Sequence, residues 1–254
     1  MTAVDPKFRE AIKQIAMSNY DDAFYAQQRE GSRRSARIVL PIVFDIVAPK
    51  SIVDVGCGVG TWLSVASELG IPKLVGFDGD YVRSLRMERG NFTFNSVDLE
   101  RAVSSSDRFD LATCLEVAEH ISEARADSLV SDLCKLSDAV LFSAAVPGQG
   151  GTDHVNEQWQ SYWAKKFQAN GYAAYDVVRP KIWTDDDVEP WYRQNILLYS
   201  RQPLPGREPA TMIDVIHPVV HEWKTPPAFR YLVGQIPIAF KRAVSKLFSG
   251  GNAR

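Results

Sequence analysis

The chain has 254 residues, with 29 Lys+Arg against 31 Asp+Glu, a formal net charge of −2, 45% hydrophobic residues and 24% charged ones. That balance excludes an intrinsically disordered chain, which pairs low hydrophobicity with high net charge, and it lacks the basic excess of a non-specific nucleic-acid binder. Three cysteines, Cys57, Cys114 and Cys134, with no CxxC pair, exclude a disulfide framework and a zinc ribbon.

In chain order, Asp5-Pro6 opens a helical pattern, with Phe8, Ile12 and Ile15 on one face. The charges of Asp5, Lys7, Arg9 and Glu10 do not suit a signal peptide. The apolar run 38–48 is broken by Pro41 and Asp45 and falls short of the ~20 residues of a membrane-spanning helix. A cytoplasmic, reducing location is therefore expected. Residues 19–34 are polar but carry Tyr20, Phe24 and Tyr25, and are predicted as a surface helix or lid; 35–47 reads as a helix feeding Pro49.

From residue 51 strands and helices alternate. Short apolar runs predict strands at 51–55, 73–77, 93–97, 109–115 and 139–145; helical spacing predicts 61–69, 121–135 and 157–170, with Gly171 as a C-cap. Two further strand-like runs, 172–179 and 194–200, have no helix-length pattern between them. Alternation of this kind implies a mostly parallel sheet covered on both faces, and the closing pair suggests an antiparallel edge. Pro203, Pro205 and Pro209 mark a linker. Beyond it, 229–248 contains Arg230, Lys241, Arg242 and Lys246 and no acid; it is expected to dock on its own domain or, as the lesser alternative, to touch an anionic membrane surface. The expected organisation is 1–34 as a helical lid or appendage, 35–201 as an α/β domain, and 202–254 as linker and helical appendage.

The stretch Val53-Asp54-Val55-Gly56-Cys57-Gly58-Val59-Gly60-Thr61 carries the most chemistry. Glycines straight after a buried strand let backbone approach a ligand closely. The spacing is GxGxG rather than the dinucleotide pattern GxGxxG. Val75-Gly76-Phe77-Asp78 ends the second strand in an acid, Val97-Asp98-Leu99 ends the third in another, and Cys114-Leu115-Glu116 ends the fourth. Ligands of open α/β sheets lie beyond these carboxyl ends.

This ordered set resembles the class I S-adenosylmethionine-dependent methyltransferases over roughly residues 35–200. The resemblance implies a Rossmann-like α/β sandwich with a seven-stranded sheet of order 3-2-1-4-5-7-6, strand 7 antiparallel. It implies S-adenosylmethionine as cofactor, with Gly56, Gly58 and Gly60 under its methionine part. Asp54 would organise the turn, Asp78 would hold the ribose, and Asp98 with Leu99 would frame the adenine. Tyr20, Tyr25 and Gln28 are candidates for a lid over it.

Glu116-Val117-Ala118-Glu119-His120 follows strand four. This ExxEH pattern resembles that of ubiquinone-pathway O-methyltransferases and of small-RNA 2′-O-methyltransferases, where both carboxylates and the histidine bind a divalent metal beside the acceptor. The small-RNA enzymes add a later histidine, for which His154 is the candidate here. Glu116, Glu119, His120 and His154 are thus the expected ligands of Mg, Mn, Fe or Zn, and His154 or His120 would serve as base without a metal. Asp153 or Asn156 is the expected cap of the helix near Glu157. Trp183, Trp191 and Tyr192 flank the loop Asp185-Asp186-Asp187, and His217 with His221 is expected to be structural. The expected activity is O-methylation of a small-molecule hydroxyl of sugar or phenol type. RNA 2′-O-methylation is the alternative, disfavoured by a pI near 6.1, and a catalytically silent cofactor-binding partner protein is another.

Overall fold

The computed structural model describes residues 22–85 and 87–223, with the side chains of 22–28 and of Ser84 excepted. The helical pattern expected near residue 5, Tyr20, the side chains of Tyr25 and Gln28, and the basic stretch 229–248 lie outside what is described.

Helix α1 (Asp22–Val47) runs unbroken through Pro41 and through the boundary expected between 34 and 35. Proline removes one backbone hydrogen bond from a helix. The loss is offset by an apolar stripe, Ala36, Val39, Leu40 and Val43, that is almost fully buried. The chain then enters β1 (Ser51–Val55), α2 (Thr61–Glu68), β2 (Lys73–Asp78), β3 (Thr93–Ser96) and β4 (Leu111–Leu115), followed by α3 (Ala126–Leu136) and β5 (Ala139–Ser143). It closes with α4 (Gln160–Ala169), β6 (Ala173–Tyr175), α5 (Arg179–Ile182), α6 (Pro190–Asn195) and β7 (Leu197–Ser200).

The strands form one seven-stranded sheet of order β3-β2-β1-β4-β5-β7-β6. β7 is antiparallel to β5 and β6, and the remaining neighbours pair in parallel. This is the class I order expected from the sequence. β4 and β5 are buried at every position, as central parallel strands covered on both faces must be. One face packs Leu129, Leu133, Phe142, Trp163 and Phe167; the other packs Leu40, Ile52, Leu63, Leu111 and Leu141. All three cysteines are buried and free.

Three local expectations are corrected. The helix expected at 121–135 starts only at Ala126, after 3₁₀ turns at Ala118–His120 and Glu123–Arg125. The runs 172–179 and 194–200 shrink to β6 and β7, because α5 and α6 occupy the residues between them. Pro180 and Pro190 stand in the first turns of those helices, where their missing N–H costs nothing. Among the described residues no helix is long and apolar enough to cross a membrane. A second compact unit begins at Pro218; of it the structure describes the short helix α7 (Pro218–Trp223).

Candidate active site

Strand order reverses between β1 and β4, and the segments leaving these two strands carry the candidate chemistry. Beyond β1 the chain turns through Gly56, Gly58 and Gly60 at φ +82°, +52° and +85°, a region that only glycine enters without strain. A Cβ on Gly56 would run into Val117, and one on Gly60 into Phe92, whereas one on Gly58 would meet no atom of the described residues within 4 Å. Gly58 thus faces open space, a cavity of about 250 Å³ whose walls include Arg29, Asp54, Gly58, Thr61, Trp62 and Tyr192. A larger hollow of about 690 Å³ lies between β6, β7 and the proline-rich residues 203–209. It sits at the opposite edge of the sheet, where Ser200 pairs with Ala139 at the start of β5, and it contains none of the expected site residues.

Asp78, the last residue of β2, is buried behind the glycine turn. Its Oδ2 accepts from the Gly58 N–H at 2.6 Å. Its Oδ1 accepts from the Gly79 N–H at 2.6 Å and from the Tyr81 hydroxyl at 2.8 Å. Asp54, 3% exposed, accepts from the Thr113 hydroxyl at 2.6 Å on neighbouring β4. Burial lifts the Asp54 carboxyl to about 7; the Thr113 bond opposes this and the charge of Asp78 adds to it. Asp98 is exposed, pairs with Arg101 at 3.2 Å and accepts from the Glu100 N–H at 3.0 Å. Leu99 packs partly buried against the core. Neither Asp98 nor Leu99 is a wall of the cavity.

Beyond β4, Glu116 takes up the left-handed φ of +54°, uncommon for a residue with a side chain. Glu119 and His120 occupy the 3₁₀ turn that follows. His154 arrives on the loop after β5, which is pinned because the N–H groups of Val155 and Asn156 both donate to the Glu119 carbonyl, at 2.8 and 3.0 Å. One ligand atom from each of Glu119, His120 and His154 lies within 4.8 Å of the other two, and the two imidazoles meet edge to face at 4.8 Å between centroids.

Each ring has one nitrogen engaged elsewhere. His154 Nδ1 donates to Glu157 Oε1 at 2.9 Å, and His120 Nδ1 donates to the Asp153 carbonyl at 3.3 Å. This leaves Nε2 of each as the coordinating atom, the arrangement usual for metal-binding histidines. Burial and the neighbouring His154 lower the His120 pKa, favouring the neutral ring. Burial acts to raise the Glu157 carboxyl, but hydrogen bonds from His154, Gly150 and Gly148 hold it below the ordinary range. Burial and the charge of Glu116 push Glu119 well above the ordinary range, and its buried Oε2 has no hydrogen-bond partner among the described residues. A buried carboxylate oxygen without a partner, beside two imidazole nitrogens, is a donor set that fits a divalent cation.

Of the four expected ligands, Glu116 stands outside this group. Its carboxylate touches that of Glu119 and is held by the Asn195 amide at 3.1 Å and the Gln149 amide at 3.3 Å. Gln149 and Glu157 lie in the glycine-rich loop that carries His154, but the sequence assigns no individual role to them, to Gln194 or to Asn195. Glu157, an acid three residues after a histidine, had a readable signal; the three amides have none in the sequence. Nor do Asp153 and Asn156 cap α4. Asp214 takes that position, its carboxylate accepting from the Ser161 N–H and hydroxyl, both at 2.7 Å. His217 Nε2 bonds the Trp183 carbonyl at 2.8 Å, and Asp186 of the acidic loop pairs with buried Arg193 at 2.9 Å.

A family model described as a methyltransferase domain matches residues 25–176. Among solved structures, the plantazolicin methyltransferase BpumL superposes with a TM-score of 0.50 at 14% identity, covering 77% of this chain and 93% of that one. Magnesium protoporphyrin IX methyltransferase from Synechocystis PCC 6803 gives 0.49 at 19% identity, covering 70% and 88%. The methyltransferase domain of a bacterial Hen1 gives 0.49 at 18%, covering 66% and 98%. At these identities the likeness concerns the fold alone. No curated protein matches the sequence.

Proposed function

Because the chain belongs to the methyltransferase-domain family, we propose that it moves the methyl group of S-adenosylmethionine to a hydroxyl of a small molecule, of sugar or phenol type, with a divalent cation at the acceptor. The observation that carries the acceptor side is the convergence of Glu119, His120 and His154 from the ends of two strands. The donor side rests on the glycine turn, the open space at Gly58 and the acid behind it.

In this reading the donor's amino-acid end lies in the cavity over Gly56–Gly60 near Asp54, and its ribose turns towards Asp78. The Tyr81 hydroxyl now bonded to Asp78 stands where a ribose hydroxyl would bond. The exposed Asp98 and the neighbouring Leu99 would meet the adenine, and Tyr25 would belong to a lid. The sulfonium makes methyl transfer intrinsically favourable, so the protein's main work is alignment. A hydroxyl must also lose its proton, and a bound cation would supply that by lowering the hydroxyl pKa. Glu119, His120 and His154 would hold the cation, with Glu116 in contact through Glu119. Glu157 keeps His154 in the tautomer that presents Nε2. Without a cation, His154 or His120 Nε2 is the remaining proton acceptor.

Calorimetry with S-adenosylmethionine tests the donor; absence of binding removes the proposal at its first step. Chelation is expected to lower turnover of phenol and sugar acceptors at least ~10-fold, with Mg or Mn restoring it. Full activity in excess chelator would take the cation out of the reaction.

A further inference from the structure

Glu116 occupies a left-handed backbone position directly after Leu115, a wall of the cavity, and its carboxylate is held by amides that connect it to the segment 210–217. Asn195 Nδ2 donates to Glu116 Oε1 at 3.1 Å and to Gln149 Oε1 at 3.0 Å. Gln149 Nε2 donates to Glu116 Oε2 at 3.3 Å. Gln194, with no solvent exposure, stands behind both. Its Nε2 donates to Gln149 Oε1 and to Asn195 Oδ1, each at 2.9 Å. Its own Oε1 accepts from the His217 N–H at 2.8 Å.

That last bond comes from a strap, residues 210–217, laid across the outer side of β6 and the start of α4. Ala210 N–H donates to the Ala174 carbonyl at 2.8 Å. Asp214 caps α4 through Ser161, and the Ile213 and Val215 carbonyls accept from Arg179 at 2.9 Å and Gln160 at 3.0 Å. Both of these donors also reach the Gln194 carbonyl, at 3.1 and 3.3 Å. A primary amide can be turned over without changing its shape, so its orientation must be fixed by its partners. Here the His217 N–H can only donate, so Gln194 must present its oxygen to the strap and its nitrogen to the site. Asn195 then has its oxygen occupied and its N–H groups aimed at Glu116, and Gln149, whose Oε1 also accepts from the Val146 N–H at 3.3 Å, is held in the same sense from two sides.

The geometry points to Gln194 as a positioning residue for methyl transfer, one that orients the Asn195 amide and reinforces the Gln149 amide holding Glu116 beside Glu119, and takes its own polarity from the strap. The inference rests on the reading of that cluster as the acceptor site.

The test compares Gln194→Met, Gln194→Glu, Glu119→Gln and Tyr172→Phe in the full chain. Gln194→Met keeps the shape and loses the relay. Gln194→Glu keeps the acceptor for the His217 N–H but, when ionised, cannot donate to Gln149 or Asn195; it is read if Gln194→Met fails to fold. Tyr172→Phe removes hydrogen bonds to the Cys134 and Ser137 carbonyls, remote from the site, and serves as the control for lost stability. Misplacing a group by about 1 Å costs up to ~100-fold in rate. We therefore expect kcat at least ~10-fold lower in the folded Gln194 variants, with KM for S-adenosylmethionine unchanged, and unchanged kcat in Tyr172→Phe. Wild-type kcat in folded Gln194→Glu, alongside a loss in Glu119→Gln, would overturn the positioning role. Wild-type kcat in Glu119→Gln as well would instead overturn the acceptor site on which it depends. Equal losses in Tyr172→Phe and the Gln194 variants would reduce the effect to general stability and also overturn it.

Discussion

Asp54 shows how one residue couples folding to the proposed donor. Its folded pKa of about 7 stands above the ordinary carboxyl value near 3.9. Between those two values the folded chain holds a proton that the unfolded chain has released. The stabilising contribution of protonated Asp54 is therefore complete below about pH 4 and is lost as pH rises through about 7. A cationic donor in the cavity reverses the preference, because positive charge favours the carboxylate. Donor affinity is expected to rise ~10-fold between pH 6 and 8, with proton release detectable by calorimetry in buffers of different ionisation enthalpy. Asp54→Asn should flatten that profile and gain thermal stability over the wild type as pH increases. An unchanged slope in Asp54→Asn would dissociate Asp54 from the donor. Tyr81 offers a second check at the same scale. Its hydroxyl uses an Asp78 oxygen that a ribose hydroxyl would need, and one such bond amounts to about 1 kcal/mol. Tyr81→Phe is expected to tighten S-adenosylmethionine a few-fold; weaker binding would give Tyr81 a positive role instead.

Among the elements, α3 shows how a helix can serve a loop it does not contain. Arg125 and Asp132 form a pair at 2.6 Å, each 6% exposed in its side chain. From that pair Arg125 reaches the carbonyls of Leu99 at 3.2 Å and Arg101 at 2.7 Å, and Asp132 accepts from the Val103 N–H at 3.0 Å. The loop after β3, with Asp98 and Leu99, is thereby moored to α3. Removing one partner of a buried pair leaves an uncompensated charge, so Asp132→Ala should cost about 3–5 kcal/mol in chemical denaturation and weaken donor binding with it. A loss under about 1 kcal/mol would mean that water rescues Arg125. Neither residue announced this role in the sequence. The central strands are legible because β1, β4 and β5 are mostly apolar runs, the first followed at once by glycine and the second by an acid. α5 and α6 are not, since four and six residues give no period to detect. Glu119, His120 and His154 could be listed from the resemblance, but their meeting depends on two backbone N–H bonds to the Glu119 carbonyl that no pattern encodes. The amides of Gln149, Gln194 and Asn195 carry neither charge nor motif, and their partners lie up to 79 residues away.

For the molecule as a whole, charge bears on the choice of acceptor. Its basic and acidic residues nearly cancel, and on the described surface many are paired with one another: Arg33 and Arg37 with Glu68, Lys73 with Asp107, Arg108 and Arg201 with Asp138. Cations already engaged by carboxylates are poorly placed to neutralise a run of phosphates. An RNA held through 6–10 phosphate contacts loses about 10³-fold or more in affinity between roughly 50 and 200 mM salt. A small hydroxyl compound in a strand-end site has no such counterion release. Turnover of phenol or sugar acceptors is therefore expected to change less than ~2-fold over that salt range, and labelled RNA oligonucleotides should show no retention in a gel shift even at the low end. Retention of RNA, joined to salt-sensitive methylation of its 2′-hydroxyl by a Glu119- and His154-dependent reaction, would keep the donor cavity and the cation site and replace the small acceptor with a nucleic acid.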